Sequence, residues 1–130
     1  MPKIETAAGA LHYDILDATP PWVNTTETIL FHHGVAIDSG IWAGWPPSLS
    51  DRYRLVTFDV RGYGRSNIPD DGFDWSFEVL AMDVLAVANA AGAAKFHFVG
   101  ESMGGAMGLY LAIHHPDRLL SITPCTSPSR

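Results

Sequence analysis

Cysteine is nearly absent from this 130-residue chain: Cys125 stands alone. A single thiol excludes an internal disulfide and any metal site built on several cysteines. Basic residues are also scarce, eight Lys and Arg against fourteen Asp and Glu, for a net charge of -6. No basic stripe exists, so nucleic acid and anionic membrane surfaces are not expected partners. The first ten residues lack the apolar run of a signal peptide. No stretch approaches the roughly 18 apolar residues of a membrane span. These absences point to the cytoplasm, with no metal and no cofactor. What remains is an ordinary globular composition, 47% apolar and 17% charged, enough for one domain with a modest core.

Period and punctuation give the order of elements. Residues 10–16 alternate loosely and are expected to form an antiparallel edge strand, broken by Thr19-Pro20-Pro21. Thr28 to His32 is a buried strand ending at His33-Gly34. Ser39 is placed as the cap of a short helix through Trp42 and Trp45, stopped by Pro46-Pro47. Arg54 to Asp59 is a second buried strand, followed by the turn sequence Arg61-Gly62-Tyr63-Gly64. From Ser76, Phe77, Leu80, Val84, Val87 and Ala91 recur at helical spacing, and Gly92 ends the run. Phe96 to Gly100 is a third buried strand. A second helix carries Met103, Met107, Tyr110 and Leu111 and ends at His115-Pro116. Leu119 to Thr123 begins a last strand. Short apolar strands alternating with helices imply an α/β fold, a mostly parallel sheet with helices on both faces. Such sheets bind ligands at the carboxyl ends of their strands. The most unusual sequences fall there: His32 to Val35, Asp59 to Ser66 and Gly100 to Gly105.

Gly100-Glu101-Ser102-Met103-Gly104 fits G-x-S-x-G between a strand and a helix, the setting of a nucleophile elbow. Chance supplies only about 0.05 such matches in a chain this long. A serine lifted above a sheet sits on a sharp, strained turn. Gly100 and Gly104 remove side-chain atoms that would collide there, and Gly105 leaves room for close helix packing. The Met103 N–H, at the positive end of the helix, faces a developing oxyanion. The alternative is a chance motif in which Ser102 merely caps the helix.

Together, His33-Gly34, Asp59-Val60-Arg61-Gly62-Tyr63-Gly64-Arg65-Ser66 and Gly100-Glu101-Ser102-Met103-Gly104-Gly105 resemble the α/β-hydrolase superfamily. They are similar to its 3-oxoadipate enol-lactonase-like and perhydrolase-like members over residues 10–124. The resemblance implies a serine hydrolase of small esters or lactones, acting through an acyl-enzyme on Ser102. Val35, freed by the turn at Gly34, would give the second oxyanion N–H. His32 and His33 are read as structural, and Trp42 either walls the pocket or lies in the core beneath it. Asp59 is read as a turn anchor, not as a triad acid, with Arg61 and Arg65 tying its loop to neighbours. Glu101 is given a supporting role.

A triad in this fold runs Ser, acid, His along the chain. After Ser102 only His114, His115 and Asp117 are available, about 18 Å away along the helix, and positions 123–127 hold no acid. The 130 residues therefore read as the N-terminal portion of a single hydrolase domain about twice as long, inactive alone, its lid and remaining triad absent. The last strand, with Leu119, Leu120 and Ile122, would offer an edge to a complementary C-terminal fragment or a second copy. The alternatives are a non-catalytic ligand-binding or interaction module on the same scaffold, or a C–C hydrolase or perhydrolase with the same nucleophile.

Overall fold

The computed structural model describes residues 2–35 and 37–125. Positions 126 and 127, of the 123–127 stretch expected to hold no triad acid, lie outside the described residues. Its strands are β1 (Lys3–Thr6), β2 (Gly9–Leu16), β3 (Thr28–His32), β4 (Arg54–Phe58), β5 (Phe96–Glu101) and β6 (Leu119–Cys125). They form one sheet in the order β1-β2-β4-β3-β5-β6 among the described residues. The pairings β4–β3, β3–β5 and β5–β6 are parallel, while β1–β2 and β2–β4 are antiparallel. This is the expected α/β architecture.

Alternation along the strands decides which core each residue joins. Leu30, Val56, Phe58, Phe96 and Phe98 point to one face. There they meet Leu80, Val84 and Val87 of α2 (Phe77–Ala90) and Met107 and Leu111 of α3 (Met103–His114). Ile29, Phe31, Leu55 and Val99 point to the other face. Among the described residues, Trp42 from a 3-10 turn at Ser39–Trp42, Leu49 from the single-turn α1 (Pro46–Leu49), and Tyr53 and Cys125 cover them there. Ser76 caps α2 by accepting the Val79 N–H at 3.3 Å.

Three expectations are corrected. Residues 10–16 lie inside β2, which is not an edge, because β1 pairs Ile4 with Leu11 outside it. The four residues of β1 alternate exposed and half-buried, a signal too short to stand out at a terminus. The cap of the 3-10 turn is Asp38, not Ser39, and its carboxylate accepts the Gly40 N–H at 2.8 Å. Pro46 and Pro47 begin α1 instead of stopping a helix, since proline at a first helical position forfeits only an N–H that has no partner anyway.

Candidate active site

Between β5 and α3 the chain reverses direction at a single residue. Ser102 has φ 54° and ψ -108°, and it is the only non-glycine residue with positive φ among the described residues. An L-residue adopts this conformation at a cost of about 1–3 kcal/mol, so its surroundings must impose it. They do so through the backbone. The Ser102 N–H donates to the Cys125 carbonyl at the end of β6, 2.9 Å away, and the Ser102 carbonyl accepts the Ala106 N–H at 3.1 Å. The serine side chain does not cap the helix.

The flanking glycines are required by space. A Cβ on Gly100 would run into the Gly104 carbonyl and come within 2.6 Å of the Gly105 nitrogen. A Cβ on Gly104 would meet the His32 carbonyl and lie 2.7 Å from His32 Nδ1. Gly108, which the sequence reading passed over, extends this series. A Cβ there would press on the Phe98 ring at 3.1 Å. The four-residue spacing of Gly100, Gly104 and Gly108 was the available signal: one small-residue stripe lets α3 lie close to β5.

The loop after β3 comes beside this turn because β3 pairs in register with β5, His32 opposite Gly100. Gly34 then abuts Glu101, whose carboxylate occupies the space a side chain would need. Val35 follows, 61% exposed, and Met103 opens α3. Gly34, Val35, Gly100, Ser102, Met103 and Gly104 are thus gathered at one rim of the sheet.

Two buried histidines stiffen that rim. His32 Nδ1 donates to the His33 carbonyl at 2.7 Å, and burial pushes its imidazole down to about 4. His33 Nε2 accepts the Val60 N–H at 2.9 Å, so the proton sits on Nδ1, which donates to the Gly34 carbonyl at 2.8 Å. Burial lowers the His33 pKa as well, outweighing the Gly34 bond and the nearby carboxylates of Asp59, Asp38 and Glu101. Both rings stay neutral, and their bonds hold the loop's backbone.

Asp59 anchors the neighbouring turn. Its carboxylate accepts the Ser39 N–H at 2.9 Å, the Arg65 N–H at 3.1 Å and Arg65 Nε at 3.1 Å. Burial alone would raise its pKa, but these bonds to the charged form prevail and lower it. Arg61 is 1% exposed, gripping Asp83 of α2 through two bonds of 2.8 Å and donating to the Ala8 carbonyl at 3.0 Å. One guanidinium therefore joins the turn to α2 and to the β1–β2 connection. Sequence had placed Arg61 as a tie but gave no means of finding Asp83 as its partner.

Trp42 lies in the core, buried against Phe31, and also lines a 310 Å³ apolar cleft with Ile15, Trp45 and Leu55. Ser102 does not line that cleft. His114, His115 and Asp117 sit at the far end of α3 from Ser102, away from the rim. Among the described residues no three His, Cys, Asp or Glu side chains gather to hold a metal, and no helix is long and apolar enough to cross a membrane.

A strained serine at a strand-to-helix turn, above a mostly parallel sheet, defines the class: a hydrolase-type α/β core. A family model described as alpha/beta hydrolase fold matches residues 27–129, and the chain belongs to that family. It is 35% identical over 102 residues to 3-oxoadipate enol-lactonase 1 of Acinetobacter baylyi, covering 78% of this chain and 37% of that one. It is 36% identical over 97 residues to a fluoroacetate dehalogenase of a Burkholderia species, covering 72% and 32%. The crystal structure of the enol-lactonase from Burkholderia xenovorans LB400 superposes with a TM-score of 0.88 at 30% identity, covering 99% of this chain and 48% of that one. The chain spans less than half the length of each of these relatives.

Proposed function

We propose that this chain carries the nucleophile and oxyanion half of a serine hydrolase acting on small carboxylic esters or lactones. The observation that carries the reading is the strained backbone of Ser102, a conformation with no structural benefit and a clear chemical one. In the reaction, Ser102 Oγ attacks the substrate carbonyl and its proton passes to a histidine base. The Met103 and Val35 N–H groups stabilise the oxyanion, two donors together worth several kcal/mol. The leaving alcohol takes the proton from the histidine, and water then releases the acyl group. Base and orienting acid come from outside residues 1–130. The likeness to lactonases supports the substrate class. Serine at the elbow, where dehalogenases need a carboxylate, argues against the dehalogenase chemistry of the other relative.

A second reading, a non-catalytic module on the same scaffold, draws on one observation: His114 and His115, the histidines that follow Ser102 among the described residues, sit at the far end of α3. Fluorophosphonate labelling of the whole protein separates the two. Label mapped to Ser102 and lost in Ser102→Ala supports the hydrolase. A folded whole protein that takes no label there overturns it. The 130 residues alone are expected to show no turnover at the elbow. β6 is a sheet edge, and its pairing with a complementary segment or a second copy is part of the same proposal.

A further inference from the structure

On the thinly covered face, a second serine stands in a chain of bonds that the elbow reading does not use. Ser121 Oγ of β6 lies 2.7 Å from His97 Nδ1 of β5. His97 Nε2 lies 3.0 Å from Glu27 Oε1, at the residue just before β3. A carboxylate can only accept, so Nε2 carries the ring proton and donates it to Glu27. In the neutral ring Nδ1 is then the unprotonated nitrogen, and the Ser121 hydroxyl donates to it. The acid fixes the tautomer and the histidine is poised to take the serine's proton, which is the logic of a nucleophile–base–acid array. The two ring nitrogens have exchanged the roles they hold in serine proteases.

The imidazole is also held from the side. The Tyr53 ring meets it edge-on with centroids 5.8 Å apart. Among the described residues, Ser121 and Glu27 are exposed and His97 is half-buried. Beside them opens a 250 Å³ cleft whose walls include Ile29, Trp45, Leu49, Tyr53 and Val99. It suits an apolar chain or an aromatic ring. His97 and Ser102 are five positions apart, roughly 17 Å along the strand, so the array sits toward the opposite rim from the elbow.

We infer that Ser121, His97 and Glu27 form a second acyl-accepting site, specific for activated esters with an apolar or aromatic acyl group. Ser121 Oγ bonds to the ester carbonyl carbon as its proton moves to His97 Nδ1. The ester C–O bond breaks, and the leaving oxygen takes the bonding pair and then that proton. Water reverses the sequence: its proton goes to Nδ1, its oxygen joins the acyl carbon, and Ser121 Oγ departs and is reprotonated. General-base help of this kind is worth about 10²–10⁴-fold.

The test uses the whole protein carrying Ser102→Ala, its fold checked by circular dichroism, with p-nitrophenyl butyrate as the probe and peptide mapping as the readout. One butyryl group is expected on Ser121. Its rate of appearance should fall about 100-fold in His97→Ala and about 10-fold in Glu27→Gln. Butyrylation confined to lysines, or a Ser121 adduct that forms equally fast in the folded His97→Ala protein, would overturn the inference. Neither outcome touches the elbow reading, because Ser102 is absent from the experiment.

Discussion

The two faces of the sheet are built to different standards. One is closed by α2 and α3, whose buried side chains interlock with Leu30, Val56, Phe58, Phe96 and Phe98. The other carries a 3-10 turn and one helical turn over Ile29, Phe31, Leu55 and Val99, with open clefts on either side of α1. The elbow is fixed from the well-covered side, where α3 begins against His32 and Arg61 reaches Asp83. The polar array of Ser121, His97 and Glu27 lies on the bare side. Rigid packing holds the strained geometry, while the array lies on the side that the described residues leave open.

The largest expected effect attacks the covered face. Arg61→Ala leaves Asp83 without its buried partner and should cost about 4 kcal/mol in urea unfolding. Next comes acid. Folded His32 binds its proton far more weakly than the unfolded chain does, so between about pH 6.5 and pH 4 the unfolded state holds the extra proton. Stability is full above that window and falls by about 3 kcal/mol as pH drops to about 4. Below that, protonation of Asp59, whose pKa is lowered, removes more. Unfolding midpoints at pH 7, 5 and 4 measure the slope.

A pair of truncations tests the contrast directly. Leu111→Ala, on a fully buried side chain of α3, should cost about 3 kcal/mol. Leu49→Ala, on half-buried α1, should cost about 1 kcal/mol or less. Equal losses would break the comparison. The smallest effect has the opposite sign. Ser102→Gly relieves the positive φ and should stabilise by about 1 kcal/mol, while Ser102→Ala, which keeps a Cβ, should not. Both should abolish labelling at the elbow.

Most of the sheet was legible in the sequence because buried parallel strands are continuous apolar runs and α2 has a clear helical period. β1 was missed because its four residues bury only one edge. The prolines at 46 and 47 were misread because proline is a stop inside a helix and a start at its first turn, and sequence alone does not say which. The elbow was legible because its motif, Gly100 to Gly104, lies within five residues. The Glu27–His97–Ser121 array was not, since its members are separated by 70 and 24 positions. Only the β3–β5 and β5–β6 registers, with Ile29 opposite His97 and His97 opposite Ser121, bring them together.

The bond from the Ser102 N–H to the Cys125 carbonyl ties the sharp bend to the strand that comes after the helix. Thirty consecutive residues, Phe96 to Cys125, therefore contain the extended segment, the bend, the helix and the strap that secures it. In a chain emerging from the ribosome, the bend can lock only once that strap has been made. The bond that secures the serine therefore waits on the arrival of β6.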